Sequence, residues 1–178
     1  MPGERAWKAA LAEHEAALAE FLARAERVPA ERWQVPVAPG KWSPAEEAYH
    51  VLMAYEFGVA ALREGAVMKL RVSPWQARIG RWLLLPFLFR TGKFPKGAAA
   101  PREVRPPSEE AHELSRPDLI ERLRRVSSEA AREARAADGR RPPVQVVHAY
   151  FGALRPLPAL RLMNAHTMHH ARHLALLS

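Results

Sequence analysis

The last thirteen residues read His166-Thr-Met-His169-His170-Ala-Arg-His173-Leu-Ala-Leu-Leu-Ser178 and hold four of the chain's eight histidines. On an α-helix, at about 100° per residue and with His166 at 0°, His169 falls near about −60°, His170 near about 40° and His173 near about −20°. All four share one narrow stripe. Leu162, Met163, Leu174 and Leu177 lie on or beside it, whereas Arg161, Asn164 and Arg172 point the other way. The pattern predicts a helix from about Pro158 to Leu177 with its histidines facing inward. A buried imidazole nitrogen without a partner costs about 1–3 kcal/mol. Four of them on one core stripe need a common explanation, and a metal ion supplies one.

Histidines at i and i+4 on a helix can turn their ring nitrogens toward a single ion. Two such pairs are present, His166/His170 and His169/His173. Two ligands do not make a tight site, so another helix must supply a third. The best candidate is His50, beside the apolar positions Tyr49 and Met53. Its helix opens at Ser43-Pro44-Ala45-Glu46: serine can cap, proline suits the first helical position, and glutamate sits where a capping box places it. That helix should reach about Glu64, with Ala45, Tyr49, Leu52, Met53 and Val59 among its buried residues.

Two more helices complete the set. One spans about Glu4 to Arg27, with Trp7, Leu11, His14, Leu18, Phe21 and Ala25 at spacings of three and four. The other starts after Pro117 and continues to about Ala137 through Leu119, Leu123, Val126, Ala130 and Ala134, with Asp138-Gly139 as its stop. No strand pattern or internal repeat competes. The expectation is an all-α, antiparallel four-helix bundle forming one domain over residues 1–178, with extra short helices between helices two and three.

Those extra helices fall in residues 65 to 115, where prolines with Gly92 and Gly97 argue for short helices and loops. Between Lys69 and Arg105 stand nine basic residues and one acid, Glu103. Packing across the open end of the bundle, or into a dimer, is the favoured reading of this segment. A membrane-surface patch would combine Arg78, Arg81, Arg90 and Lys93 with Trp82, Leu84 and Phe87. Nucleic-acid binding would need aromatics or arginines presented on a groove. No motif stands behind either alternative.

The chain has no cysteine. Disulfides, thiolate zinc sites and cysteine nucleophiles are excluded, leaving nitrogen and oxygen ligands. The start, Met1-Pro-Gly-Glu-Arg5, carries no apolar signal core. The apolar run from Ile79 to Phe89 is interrupted and shorter than the about 20 residues a span requires. A cytoplasmic protein with no membrane span is expected. The formal charge of +8 is weak evidence for a nucleic-acid partner, and none is expected.

Trp42-Ser-Pro-Ala-Glu46-Glu-Ala-Tyr-His50-Val-Leu resembles the first histidine motif of the DinB/YfiT-like superfamily. His166-xxx-His170 resembles its HxxxHxxQ motif on the final helix. His148-Ala-Tyr-Phe-Gly-Ala-Leu154 resembles the HPxFGxL segment of one branch. The resemblance implies a four-helix bundle, often a homodimer, with His50, His166 and His170 as ligands of a divalent metal such as zinc or nickel. Some members are thiol-dependent transferases or isomerases, and a three-imidazole metal centre by its own chemistry suits a hydrolase or a transferase that activates a low-molecular-weight thiol, in either case acting on a small molecule. The alternative is a non-catalytic metal-binding or stress-response protein. Two positions depart from the pattern, His173 in place of glutamine and Ala149 in place of proline.

From Gly139 to Ser178 there is no aspartate or glutamate. Any carboxylate base must come from elsewhere, and Glu46 or Glu47, one turn before His50, is nearest in sequence. His173, His148, Tyr150 and His14 are further pocket candidates. For His14 a core histidine with a polar partner is the favoured reading, and for His169, at the edge of the stripe, a solvated or interface residue.

Overall fold

The computed structural model describes residues 3–95 and 99–176; the expectations for Gly97 and Leu177 lie outside them. Four long helices carry the core: α1 (Glu4–Arg27), α2 (Pro44–Glu64), α6 (Arg116–Ala137) and α7 (Pro156–Leu174). Side-chain contacts fix their directions. Trp7 Nε1 donates to Asp138 just beyond α6 at 3.0 Å, and Arg116 at the start of α6 reaches the Val28 carbonyl at 2.7 Å. These two helices are antiparallel. Trp7 packs with Leu157 and Leu160, while Phe21 and Leu22 share a cluster with Ala171 and Leu174, so α1 and α7 run the same way. Arg122 pairs with Glu56 at 2.6 Å and Arg63 with Glu133 at 2.8 Å, which makes α2 and α6 parallel. Neighbouring parallel helices need a long crossover between them. Residues 65–115 are that crossover.

The α2 start forms as its sequence dictates. Ser43 Oγ accepts the Glu46 N–H at 3.2 Å and the Glu46 carboxylate accepts the Ser43 N–H at 2.7 Å. Caps of this kind stabilise a helix by about 1 kcal/mol, and this one fixes where the first turn begins.

Within the crossover, a second serine cap at Ser73 opens α3 (Pro74–Ile79). A π-helical turn at Gly80–Leu84 then leads into α4 (Leu85–Thr91). The three pieces form one helical rod, ended by Gly92 in the left-handed region at φ 62°. A single 3₁₀ turn (Arg102–Val104) and α5 (Ser108–Glu113) follow.

The expectation of no strands needs correction. Val146–His148 (β1) and Gly152–Leu154 (β2) pair antiparallel, Val146 opposite Leu154 and His148 opposite Gly152. Strands of three residues are too short to show a period of two. The hairpin anchors the crossover: Met68 N–H donates to the Val147 carbonyl at 3.2 Å and Arg71 N–H to Ala149 at 2.9 Å.

Asn164 also departs from expectation. It is buried rather than outward, because α7 has two covered sides, one against α1 and one against α2. Its amide donates to the Ala10 carbonyl at 2.9 Å, so its oxygen accepts from His14 Nδ1 at 2.8 Å. His14 Nε2 lies 2.8 Å from the Ser127 hydroxyl and 3.1 Å from the Ser127 carbonyl. Both nitrogens of His14 are engaged, and it is a core histidine rather than a pocket wall.

Candidate metal centre

The antiparallel pair α2 and α7 brings His50, His166 and His170 together. His166 Nε2 lies 3.0 Å from His50 Nε2 and 3.1 Å from His170 Nε2. His50 and His170 are buried, and His166 is partly so. Partners on the far side of two rings decide where their protons sit. His50 Nδ1 faces the Val104 carbonyl, which can only accept, so Nδ1 carries the hydrogen and Nε2 presents a lone pair. His170 Nδ1 lies 2.9 Å from Glu47 Oε1, and the same logic leaves its Nε2 bare. Two lone pairs therefore point at His166 Nε2. A neutral His166 has at most one hydrogen there and satisfies only one of them. The other contact stays repulsive unless a cation lies between the rings.

The spacing fits such a cation. Imidazole nitrogens bind zinc at about 2.0–2.1 Å, which separates them by about 3.3–3.4 Å at tetrahedral angles and about 2.9 Å at octahedral ones. The observed 3.0 and 3.1 Å lie between these limits. Protonation is opposed as well. Burial first, then the neighbouring imidazoles, hold His166 and His170 well below the usual value of 6.5. Burial also lowers His50, against the opposing pull of the Val104 carbonyl and Glu47.

Of the two candidate carboxylates, Glu47 reaches the histidines. Its Oε1 accepts from His170 Nδ1 and from His173 Nδ1, the latter at 2.6 Å. Glu47, His170 and His173 are compact enough to form a second His/Glu group, but these two N–H···O bonds already account for their spacing. The Glu47 bond raises the His173 pKa against partial burial. Glu46 turns toward the helix cap instead, where Ser108 Oγ donates to it at 2.5 Å. Burial would raise its pKa, but the bonds from Ser108 and Ser43 outweigh that and lower it.

The remaining candidates frame the site. Phe94, which the sequence did not single out, stands 5.9 Å from the His166 ring and 4.9 Å from His169. Trp42 lies 4.8 Å from His50. His148 stacks on Phe151 at 5.0 Å, accepts the Tyr150 N–H at Nδ1, and is lowered to about 4 by burial. The Tyr150 hydroxyl donates to the Ala99 carbonyl at 2.7 Å. Tyr150 thereby ties the hairpin to the crossover. The inward stripe divides: His170 is buried, His166 and His169 are partly covered, and His173 is exposed.

Five imidazoles, those of His50, His148, His166, His169 and His170, are held below 6.5 in the folded protein, with burial the first cause in each. The unfolded chain gains protons near pH about 6.5, while the folded chain resists. Their stability is present above that pH and drains as pH falls toward about 4, the value for His148 and His169. His173, raised, works oppositely: its contribution is full below 6.5 and lost as pH rises through its folded value. With five groups against one, the urea midpoint of metal-free protein should fall steadily from pH about 7 to about 4.5. A flat or rising midpoint would contradict this account of the cluster.

Fold and site together define a helical bundle whose facing helices converge three imidazoles on one point. The sequence profile of the DinB superfamily matches residues 13–174, and the chain belongs to that superfamily. A solved structure described as "Crystal structure of TT2238, a four-helix bundle protein" is similar in fold, with a TM-score of 0.60 and 22% identity over 96% of this chain and 98% of that one. Comparison with curated proteins gives no match. Among the described residues no helix is long and apolar enough to cross a membrane.

Proposed function

We propose that this protein binds a divalent metal through His50, His166 and His170 and uses it catalytically on a small molecule. It acts as a hydrolase or as a transferase that activates a low-molecular-weight thiol. The observation that supports this reading is the pair of bare Nε2 lone pairs aimed at a third imidazole nitrogen within 3.1 Å, an arrangement that a shared cation relieves. A zinc or nickel ion held there supplies a Lewis acid that acidifies a bound water or thiol, and neutral ligands leave its full charge for that task. The chain's own residues prepare the site. The Val104 carbonyl and the Glu47 carboxylate fix the tautomers of His50 and His170, as acceptors behind metal-bound histidines do generally. Phe94 and Trp42 add aromatic walls beside His166 and His50.

Elemental analysis of protein purified without an affinity tag should find about one divalent ion per chain. Untagged material matters, since a histidine cluster strips nickel from a purification column. Metal-loaded protein assayed with a panel of thiols and electrophiles should turn over, and His170→Ala should abolish that turnover. Stoichiometric metal with inactivity across the whole panel would favour the non-catalytic metal-binding or stress-response alternative. Absence of metal would overturn both.

A further inference from the structure

The rod from Pro74 to Thr91 has two unlike faces. Ala77, Leu85 and Leu88 are buried, and the two leucines pack with Phe151, Leu154 and Leu162. The opposite face carries Trp75 (67% exposed), Ile79 (36%), Trp82 (81%), Leu83 (61%) and Phe87 (50%). Their spacing, i, i+4, i+7, i+8 and i+12, is that of one helical stripe. Of the ten large hydrophobic residues that are exposed among the described residues, seven fall between Val67 and Phe87. Exposure concentrated in this way marks an interaction surface.

Charge selects the partner. Arg78, Arg81 and Arg90 lie on the same rod, and Lys69, Arg71 and Lys93 flank it. Among the described residues, none of these six forms an ion pair, although Arg71 donates to the Ala100 carbonyl and Arg81 to that of Ala153. The segment's one acid, Glu103, accepts the Lys69 backbone N–H at 2.9 Å. We infer that this face docks on an anionic lipid surface, with the tryptophans and aliphatic side chains entering the headgroup boundary and the basic residues meeting lipid phosphates. A second copy of the chain would set two positive rims against each other. A nucleic acid would meet Ile79 and Leu83 on a convex rod that offers no groove. An anionic bilayer satisfies both the apolar stripe and its rim.

Flotation of the full-length protein tests this. Vesicles of three parts phosphatidylcholine to one part phosphatidylglycerol should carry the protein, pure phosphatidylcholine vesicles should carry far less, and added salt should release it. The double variant Trp82→Ser/Leu83→Ser, and separately Arg78→Gln/Arg90→Gln, should each reduce partitioning about tenfold or more. Unchanged circular dichroism melting, expected for exposed positions, keeps a folding defect distinct from lost docking. Absence of binding to the anionic vesicles, or equal binding by the variants, overturns the proposal. So does light scattering that shows a wild-type dimer which Trp82→Ser/Leu83→Ser converts to monomer, or Trp82-dependent retention of a single-stranded oligonucleotide without vesicle binding.

Discussion

His166→Ala should lower affinity for zinc or nickel more than about 100-fold, beyond the about 10–100-fold typical of losing a mere supporting group. His166 is the member whose Nε2 contacts both other rings, at 3.0 and 3.1 Å, so its removal leaves two donors of the three-nitrogen group. His169→Ala should leave affinity within about threefold, as changes away from such features do, because His169 contributes no atom to the three-nitrogen group. Competition with a chromogenic chelator at fixed pH measures both. Equal losses in the two variants would sink the ligand assignment, and so would an unchanged His166→Ala. His50→Ala and His170→Ala belong with His166→Ala, since each withdraws one of the converging nitrogens.

Glu47→Gln should weaken the metal about 10–100-fold without touching a ligand. One oxygen, Oε1, accepts from both His170 and His173. The amide retains an acceptor but loses the charge that makes the His170 nitrogen opposite it a stronger donor to metal. Glu46→Gln is the control. Its carboxylate serves Ser43 and Ser108, so the change should lower thermal stability while leaving metal affinity within about threefold. If Glu46→Gln instead proves the more damaging to metal binding, the division of roles drawn from the geometry is wrong. Chelator titration and a thermal melt on each variant separate the outcomes.

Much of the bundle was legible because its signals are local. The Ser43-Pro44 cap, the three-and-four spacing of α1 and the apolar positions of α6 each declare a helix within a few residues. The His166/His170 spacing is equally local, and with His50 it resembled a known motif. What escaped detection depends on tertiary contact. Glu46 and Glu47 are adjacent in sequence, so nothing local says which one meets the histidines. The second acceptor, at Val104, is a backbone carbonyl, which any residue type supplies. A single helical wheel, with one buried face, puts Asn164 on the solvent side, but α7 has two covered faces and Asn164 is buried. Phe94 lies in a proline- and glycine-punctuated stretch whose path over His166 no periodicity encodes.

The capped start of α2 constrains how this protein can change over time. Ser43 and Pro44 set the zero of the screw along which His50 sits, and each residue advances it by about 100°. Inserting or deleting one residue between the cap and His50 would swing that imidazole about 100° off the shared point. The length of that stretch is therefore fixed as firmly as the identity of Glu47 within it. The long crossover supplies no imidazole to the trio, so a change of length there bears on the site only where it displaces Val104 or Phe94.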